Sequence, residues 1–573
     1  MFLPTTKKEM DKKGWDSCDV IIVTPDAYVD HPSFAMAILG RFLEKNGYKV
    51  GILTQPRWKD PLQFLELGIP KYAFIVSGGQ MDSMVLNYSS IGIPRNEDAF
   101  CENKNPFFSK KGEGKKYRIR PDRCLSVYCN QIRTACKGVP IIIGGIEASL
   151  RRIAHYDYWS NKVRRSILFD CKADMLIYGM GEFPLLKVIE NIKNKVPFKE
   201  MNVENSAIIA HSLQDYTSPI HSECAIQENI GDTIILPSFE EVSKDKNAFA
   251  KAETLFIKND DRKILAQKQD SRYFIQFPRR ELTQKEIDDI YDLDFERMIH
   301  PRFKNVPAFE VVKTSITSHR GCYGDCSFCA IAAHQGKAIV SRSLNSIIKE
   351  VEKITKKKYF KGTISNIGGA TANMYGSNCE IGGCNEHDCL KDGMGCKNLL
   401  SGTNEYLKVL NAAKEVNGVK NVFVNSGIRF DPCILDDEFF HELLKNNVSG
   451  QMNVAPESLS DKVLHYMNKP KSKVFEDFVK RFALMKNKTG VRKFLLPYMV
   501  IGHPGENEHE AIETRKFLQK HNIKGRQFQI FTPTPMTKST AMYYLNFEPE
   551  SGKSVFVEKS IRKLKKRKEL MIQ

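Results

Sequence analysis

The sequence lacks the long apolar segments that membrane insertion or secretion would require. No stretch of the 573 residues approaches the roughly 18 to 20 uncharged apolar residues that a membrane-spanning helix needs. The first residues, MFLPTTKKEMDKKGWD, contain no apolar core of a signal peptide. These absences argue against membrane insertion and predict a cytoplasmic protein. The length predicts two or more domains, because it exceeds what one hydrophobic core organises.

Acidic residues are fewer than basic ones. The chain has 68 Asp and Glu against 86 Lys and Arg, a formal net charge of +18 at pH 7. This excess favours an anionic partner, such as RNA or another anionic substrate. A solvated basic surface explains it equally well, because net charge governs non-specific association and not chemistry.

Disulfide bonds are a further expected absence. The fifteen cysteines would be reduced in the cytoplasm, so clustered cysteines indicate metal binding or catalysis. The scattered ones are expected to be small buried hydrophobic residues, namely Cys18, Cys101, Cys171, Cys224 and Cys433.

The first 200 residues alternate between strand and helix patterns. A helical stretch covers 33–46, and apolar runs typical of buried parallel strands occur at 19–24, 48–54, 72–79 and 139–148. This order predicts a doubly wound α/β domain over 1–200, with any site at the carboxyl ends of its strands. The polar segment 201–305 is predicted to be a connector.

A second, better-defined alternation predicts another domain over 306–545. Strands are predicted at 311–317, 361–367, 420–426, 449–455, 493–501 and 526–532. Helices are predicted between them at 343–355, 403–416, 435–446, 473–486 and 507–520. Such a series forms parallel strands with right-handed crossovers, so we expect a barrel or partial barrel whose functional loops share one face.

The loops after these strands carry the unusual residues. The first, within SHRGCYGDCSFCAIAAHQGK, contains Cys322, Cys326 and Cys329. The other five contain Gly368-Gly369-Ala370, Ser426-Gly427-Ile428-Arg429, Pro456-Glu457-Ser458, Gly502-His503-Pro504-Gly505-Glu506 and Thr532-Pro533-Thr534-Pro535.

Three thiols on one loop favour an iron–sulfur cluster over zinc. A structural zinc site uses four ligands, usually in two separated pairs. Three thiolates on a four-iron cluster leave one iron open to a substrate or cofactor. His334 is an alternative fourth ligand, but we favour the open position.

The spacing Cys-x3-Cys-x2-Cys, with Phe328 before the last cysteine, resembles the cluster motif of the radical S-adenosylmethionine (SAM) superfamily. Further stretches resemble the YgiQ-type proteins within it: "YVDHPSF", "RGCYGDCSFC", "GGATANMYG", "VAPES", "MVIGHPGE" and "FTPTPMTKSTAMYY". The resemblance covers nearly the whole chain. It implies a Rossmann-like, cobalamin-binding-like N-terminal domain followed by a partial (β/α)6 TIM-type radical SAM barrel.

The resemblance also implies the cofactors and the chemistry. Cys322, Cys326 and Cys329 would hold a [4Fe–4S] cluster, and SAM would bind its fourth iron. Reductive cleavage of SAM would give a 5′-deoxyadenosyl radical that modifies a substrate, here unknown, with the electron coming from a donor such as flavodoxin or ferredoxin. The residues that catalyse the substrate's conversion are not identified.

Contacts to SAM follow from matching strand ends to the family. Ala370 stands where many superfamily members have Glu, so no side-chain contact is assigned there. The residues expected to contact SAM are the glycine pair Gly368 and Gly369, Ser426, Arg429 and Glu457 for the ribose and carboxylate, and Gly502 and Gly505 beside the adenine.

A cysteine-rich insertion over 374–400 interrupts the barrel pattern. It contains Cys379, Cys384, Cys389 and Cys396, with His387 among them. Four thiolates fit a closed zinc site or a second iron–sulfur cluster, and spacing alone does not choose the metal. Reduced thiols on a loop that covers the substrate are the alternative.

The resemblance to cobalamin-binding domains breaks at the expected cobalt ligand. Asp30 and His31 are adjacent, whereas the usual signature separates these residue types by one position. We therefore favour another use for this domain, such as substrate binding through a separate group, Arg151, Arg152, His155 and Asp157. A cobalamin-dependent methyl or rearrangement enzyme stays as one alternative, and a non-catalytic metal-binding nucleic-acid module as another.

Residues 546–573 form a basic tail that ends in KSIRKLKKRKELMIQ. Val557, Ile561, Leu564 and Met571 fall at helical spacing on one stripe, which predicts a basic amphipathic helix. Its apolar stripe would dock on the barrel, and its charged face would either be solvated or bind RNA or another polyanion through phosphate contacts.

Overall fold

The structure, a computed structural model, describes residues 1–108, 117–217, 233–260, 262–384, 388–523 and 527–572. The chain divides into two units. Unit 1 contains Met1–Glu281 with Leu293–Lys313, and unit 2 contains Leu282–Asp292 with Thr314–Gln573. Among the described residues, no helix has both the length and the apolar character to cross a membrane.

A nine-stranded sheet organises unit 1. Its strands are β1 (Val20–Thr24), β2 (Val50–Thr54), β3 (Ala73–Ser77), β4 (Ile141–Gly144), β5 (Met175–Ile177), β6 (Ser206–Ala210), β7 (Ile234–Leu236), β8 (Leu265–Gln269) and β9 (Arg272–Gln276). Their spatial order is β7-β8-β9-β6-β5-β4-β3-β1-β2. Strands β2, β1, β3, β4 and β5 run parallel, as the predicted doubly wound domain requires.

The segment 201–305, for which the sequence predicts a connector, contributes β6 to β9. Strand β6 pairs antiparallel with β5 and with β9, so the segment extends the parallel sheet. Residues such as Leu265, Ala266, Phe274 and Ile275 are fully buried there. The segment is therefore part of the folded core of unit 1. Its strands are three to five residues long, and β8 and β9 also contain polar residues, so they do not appear as long apolar runs in the sequence.

Helices and short hairpins complete unit 1. Its helices are Lys7–Lys12, Ala35–Lys45, Ser83–Asn87, Cys124–Ala135, Ile146–Ser149, Ile167–Cys171, Glu182–Lys193, Gln214–Thr217, Phe239–Lys244, Lys246–Asn259 and Pro307–Val312. Short antiparallel pairs join Val29–Asp30 with Met298–Ile299, Phe107–Phe108 with Tyr117–Arg118, and His155–Asp157 with Lys162–Arg164.

Unit 2 is a partial barrel of six parallel strands. They are β10 (Ser315–Thr317), β11 (Asn366–Gly368, preceded by Thr363–Ile364), β12 (Asn421–Val422), β13 (Gln451–Glu457), β14 (Phe494–Ile501) and β15 (Gln527–Ile530). Neighbouring strands pair in parallel in chain order from β10 to β15. The link between β12 and β13 is a single parallel bridge between Ile428, which follows β12, and Val454 in β13. The predicted partial (β/α)6 barrel is confirmed.

The described residues of unit 2 also form ten α-helices, several of which pack on the apolar core beside these strands. They are Gln284–Tyr291, Ala330–Gln335, Leu344–Thr355, Thr403–Glu415, Asp437–Glu442, Asp461–Met467, Ser472–Thr489, Glu508–Lys520, Lys538–Leu545 and Ile561–Ile572. Short antiparallel pairs join His319–Arg320 with Val340–Ser341 and Asn378–Cys379 with Leu399–Leu400. Helix Ser472–Thr489 shows how the sequence encodes packing: Phe475, Phe478, Phe482 and Met485 recur at helical spacing and are buried.

The first barrel strand is shorter than the sequence predicts. Strand β10 begins at Ser315, because Val311 and Val312 belong to helix Pro307–Val312. Pro307 occupies the first turn of that helix, where its missing N–H costs no hydrogen bond. The prediction over 311–317 was therefore wrong at its amino end and right at the end that carries the cysteine loop.

Candidate functional site

The loop of Cys322, Cys326 and Cys329 follows β10 at the carboxyl face of the barrel. Its backbone is anchored on both sides: the Ser327 N–H donates to Met467 O (3.0 Å), and the Ser539 N–H donates to Ser327 O (2.9 Å). Within the loop, the Cys329 N–H donates to Cys326 O at 2.9 Å. All three cysteines are half-buried, so the loop holds its thiols in place without sealing them off.

Arg429 lies against this loop. Its Nη1 is 3.6 Å from the Cys326 Sγ, and Asp431 holds the guanidinium through contacts of 2.7 and 3.2 Å. Asn373 fixes the adjoining backbone, since its Oδ1 accepts from the Arg429 N–H at 3.0 Å. The result is a buried cation beside the thiols. The sequence analysis assigns Arg429 to SAM but does not include Asp431. Asp431 stands two residues after Arg429, and this spacing of opposite charges is the signal that could have indicated the pair.

The glycine pair Gly368 and Gly369 at the end of β11 lets neighbouring side chains lie close to the backbone. A Cβ on Gly369 would lie 2.7 Å from the His319 ring, and one on Gly368 would lie 2.6 Å from the Ser426 Oγ. His319 is buried, and its Nε2 is 3.0 Å from Thr371 O. Because a carbonyl only accepts, Nε2 is the protonated nitrogen. Burial lowers the pKa of His319 to about 4, so the ring is neutral.

Ser426 is tied to the strand beside it. The Asn366 Nδ2 donates to the Ser426 Oγ at 2.9 Å, and the Asn366 Oδ1 accepts from the Ser426 N–H at 2.9 Å. On the other side of the glycines, the Thr371 hydroxyl lies 3.6 Å from the Cys322 Sγ. The structure therefore brings the predicted residues Gly368, Gly369 and Ser426 together, next to the cysteine loop.

Glu457 ends β13 with an unusual backbone and an unpaired carboxyl oxygen. Its φ of 68° lies in the left-handed region, which costs a non-glycine residue on the order of 1 to 3 kcal/mol. Its Oε2 is buried and has no hydrogen-bond partner among the described residues. Burial raises the pKa of this carboxyl to about 7, against the opposing charges of Lys469 and Arg429.

The loop after β14 is covered by protein. A Cβ on Gly502 would lie 2.3 Å from the Leu564 Cδ2, and one on Gly505 would lie 2.5 Å from the Tyr466 ring. Leu564 belongs to the basic helix Ile561–Ile572, whose Arg567 Nη1 donates to Glu506 O at 3.0 Å. Leu564 and Met571 of the predicted apolar stripe are buried, whereas Ile561 is exposed and Val557 lies before the helix, so the stripe docks only in part.

A cleft of about 330 Å³ opens beside the cysteine loop. Its lining comes from that loop, from the cysteine-rich insertion and from the segment after helix Asp461–Met467, and includes Tyr323, Asp325, Cys389, Asp392, Arg429 and Lys469. The insertion therefore stands at the edge of the candidate site.

The donor set of the loop fits an iron–sulfur cluster. Burial raises the pKa of Cys322, and it raises that of Cys329 to about 12. Three soft thiol ligands beside a fixed guanidinium suit the negative charge of a thiolate-bound cluster. No three His, Cys, Asp or Glu side chains of the described residues already stand in a metal-binding arrangement, so metal binding would require side-chain movement.

The four cysteines of the insertion are near neighbours. The pKa of Cys389 is raised to about 11, first by burial and then by the thiols of Cys384, Cys396 and Cys379. The Cys396 N–H donates to Cys389 O at 2.9 Å, and the pair Asn378–Cys379 with Leu399–Leu400 closes the base of the insertion. His387 lies outside the described residues.

In unit 1, the corresponding carboxyl edge is filled by ion pairs. Arg120 contacts Asp26 at 2.7 Å and Asp98 at 2.9 Å, with all three side chains buried. A second pair joins Arg151 to Asp82. The cavity at this edge measures about 10 Å³, which is room for about one water molecule.

The residues proposed from sequence for a substrate site in unit 1 are instead paired with protein. Asp157 binds Arg123 at 2.7 Å, and Arg152 binds Asp260 at 2.9 Å. His155 lines the small cavity beside Arg151, with its Nε2 unpartnered among the described residues. His31, in the loop after β1, is fully buried and packs edge-on against Phe309. Among the described residues, this edge therefore presents paired charges and a buried His31 instead of a free histidine ligand for cobalt.

Two protein-family models match this chain, and the boundary between them lies close to the boundary between the two units. The family model described as Radical SAM N-terminal matches residues 2–315, and the one described as Radical SAM superfamily matches residues 316–518. A UPF0313 protein of Clostridium botulinum strain 657 is 43% identical over 100% of this chain and 87% of its own length. One from Methanocella arvoryzae is 42% identical over 97% of this chain and 90% of its own.

A solved structure shares the fold. It is the radical SAM methyltransferase TsrM from Kitasatospora setae, bound to tryptophan and a SAM analogue, with a TM-score of 0.51 at 13% identity. The match covers 90% of this chain and 74% of that one.

Proposed function

This chain belongs to the UPF0313, or YgiQ, family of radical SAM enzymes, and we propose that the loop of Cys322, Cys326 and Cys329 holds its [4Fe–4S] cluster. The observation that carries the proposal is the convergence of three half-buried thiols with the buried Arg429 at the carboxyl face of the barrel. Bound there, the cluster and SAM supply reductive cleavage of SAM to methionine and a hydrogen-abstracting 5′-deoxyadenosyl radical.

The chain's own residues position these groups. Arg429 balances charge at the cluster, since Asp431 fixes it 3.6 Å from the Cys326 Sγ. The unpaired oxygen of Glu457 accepts from the SAM amino group or ribose, and Ser426 adds a hydroxyl beside Gly368. Gly369 lets the SAM methionine approach the backbone. Gly502 and Gly505 shape the adenine side, where Arg567 braces the loop.

Anaerobic reconstitution with iron and sulfide, followed by reduction with dithionite, tests the proposal. We expect 5′-deoxyadenosine and methionine to form from SAM. The triple variant Cys322→Ala, Cys326→Ala, Cys329→Ala should form neither product, while Cys136→Ala in unit 1, a buried cysteine, should match wild type. Equal product formation by the triple variant would overturn the assignment of the loop.

A second metal site at Cys379, Cys384, Cys389 and Cys396 is the next proposal. It is supported by the proximity of the Cys384, Cys396 and Cys379 thiols to Cys389 and by a donor set that suits zinc or iron. The triple variant of the cluster loop should retain this metal, whereas replacing the four insertion cysteines with serine should release it. The absence of zinc and iron from the anaerobic triple variant would remove the site.

Radical SAM enzymes need a reductant, and we assign that role to a flavodoxin or ferredoxin. We further propose that RNA, or another anionic substrate, contacts helix Ile561–Ile572. Its support is the exposed side of the helix, with Arg562, Lys563, Lys565 and Lys566. Because Leu564 and Arg567 are buried, the sharper test replaces the four exposed residues with Gln instead of deleting the helix. RNA affinity should then depend less steeply on salt, and an unchanged dependence would count against the contact.

A further inference from the structure

The two faces of the barrel strands differ in chemistry. The outer face is apolar and packed under the helices, with Ile316, Ile367, Val422, Val424, Met452, Val454, Met499, Ile501 and Phe528 buried in one core. The alternate residues, which face the barrel interior, are mainly amides and hydroxyls: Ser315, Thr317, Asn366, Asn425, Gln451, Asn453, Gln527 and Gln529. Phe423, after β12, and Leu496, Tyr498 and Val500 on β14 form the apolar part of this face.

Hydrogen bonds hold the central amides in fixed orientations. Asn366 accepts from the backbone N–H groups of Asn425 (2.8 Å) and Ser426 (2.9 Å). The Asn425 Nδ2 donates to Ser365 O at 2.8 Å, and the Asn453 Nδ2 donates to Asn425 O at 3.1 Å. Within the described chain, the side-chain oxygens of Asn425 and Asn453 accept no hydrogen bond. They are preorganised acceptors on an open surface, since Asn425 is exposed and Asn453 is partly exposed.

This interior face is continuous with the proposed SAM site. Ser426 contacts both Asn366 and the position of a Cβ on Gly368, and the residues after the glycine pair reach the Cys322 thiol through Thr371. A molecule resting on Asn366, Asn425 and Asn453 therefore lies beside the groups assigned to the radical source.

The interior face has almost no charge. The described residues of β10 to β15 that face inward include no Lys or Arg, and the acid Glu457 ends β13. The basic side chains Arg429 and Lys469 line the cleft at the carboxyl face, where Arg429 is already paired with Asp431. A phosphate placed on the strand face itself would lose hydration without gaining a cation.

We propose that the reacting part of the substrate is uncharged and binds the interior face through an amide-type edge, an N–H donor next to a carbonyl acceptor. Amide side chains pair with such edges in two-point contacts, and the aromatic ring of Tyr498 offers an apolar surface beside them. A peptide amide and a nucleobase both present this edge. The proposal deepens the proposed function and rests on it, because it places the substrate where SAM would be cleaved.

The test is equilibrium dialysis of the reconstituted enzyme with three radiolabelled probes at equal concentration: N-acetylglycine N-methylamide, uridine and uridine 5′-monophosphate. We expect at least one neutral probe to bind, and uridine 5′-monophosphate to bind about tenfold or more weakly than uridine. Asn453→Leu should lower the affinity for the neutral probe about five- to tenfold. Asn446→Leu, on an exposed helix surface, is the matched control and should change nothing.

The outcomes separate the two proposals. If the nucleotide binds as tightly as uridine, if neither neutral probe binds, or if Asn453→Leu has no effect, the uncharged-substrate proposal is overturned. The same preparation is assayed for 5′-deoxyadenosine without probe, so loss of SAM cleavage reports on the proposed function instead. Should Asn453→Leu lose its iron, Asn425→Ser, at a more exposed position of the same face, replaces it.

Discussion

The carboxyl edges of the two parallel sheets have opposite character. In unit 1, charged side chains occupy the edge and neutralise one another, as in the buried set Arg120, Asp26 and Asp98. In unit 2, a cleft of about 330 Å³ adjoins the cysteine loop, and Glu457 keeps an unpaired buried oxygen. Open α/β sheets bind ligands at this edge, but the side chains decide whether a given edge is filled or open.

The comparison assigns different roles to the two sheets. The paired charges of Arg120, Asp26 and Asp98 satisfy each other, and a cavity beside Arg151 and His155 measures about 10 Å³, so we assign these groups to the stability of the fold. In unit 2, Glu457, whose buried Oε2 has no partner among the described residues, is one of the residues proposed to contact SAM. His31, the residue nearest to the expected cobalt ligand in sequence, is fully buried.

Breaking the ion-pair set of unit 1 should have the largest effect on stability. Arg120→Met leaves Asp26 and Asp98 buried without their cation, and we expect the free energy of unfolding to fall by about 3 to 5 kcal/mol. Urea unfolding, monitored with a spectroscopic probe placed in β1 to β5, measures the decrease in the free energy of unfolding. Arg118→Met, at a partly exposed position, is the control. A loss below about 1 kcal/mol would show that the edge tolerates an unpaired charge.

Glu253 is an exception to the pairing in unit 1 and should make stability depend on pH. Burial raises its pKa to about 8, above the usual value for Glu, so the folded state holds a proton that the unfolded state releases. The resulting stability is complete below about pH 4 and is lost as pH rises towards 8. Glu253→Gln should therefore stabilise the protein at pH 8 by about 2 to 4 kcal/mol relative to pH 5.

Thermal or urea unfolding of wild type and Glu253→Gln at both pH values measures this difference. Glu240→Gln, on the neighbouring helix Phe239–Lys244, controls for the loss of a negative charge. The same shift in both variants would contradict a role for burial.

The smallest expected effect is on SAM binding and comes from Glu457, the unpartnered carboxyl group of unit 2. Glu457→Gln keeps the shape but removes the charge, and SAM should bind about tenfold more weakly while iron content stays unchanged. Equilibrium binding of SAM to the reconstituted enzyme measures this. The control is Glu442→Gln on the barrel's surface. Wild-type affinity in Glu457→Gln would show that its free oxygen does not face the cofactor.

Much of the fold follows from sequence, because buried parallel strands leave long apolar runs. The strands at 20–24, 50–54 and 494–501 coincide closely with their predictions. The sheet extension β6 to β9 was missed, since its strands are only three to five residues long and β8 and β9 include polar residues. At Val311 and Val312 a strand was predicted where the structure has a helix. These β-branched residues are helical because Pro307 begins a helix just before them.

The site was predictable where residue type and spacing carry the chemistry, as for the cysteine loop and the glycine pair. Contacts made across the fold were not. Nothing in the spacing of Gly502 reveals that Leu564, 62 residues later, packs on it. The inward alignment of Asn366, Asn425 and Asn453 likewise emerges only when three separate strands are placed side by side.

The most direct test of the division between a filled edge in unit 1 and a cofactor site in unit 2 is elemental analysis. Wild-type protein and the triple variant Cys322→Ala, Cys326→Ala, Cys329→Ala would be reconstituted anaerobically with iron and sulfide, and with hydroxocobalamin present, before gel filtration. We predict that the triple variant loses about four iron atoms per chain relative to wild type and that neither protein retains cobalt. Equal iron in both proteins, or stoichiometric cobalt in either, would contradict this division.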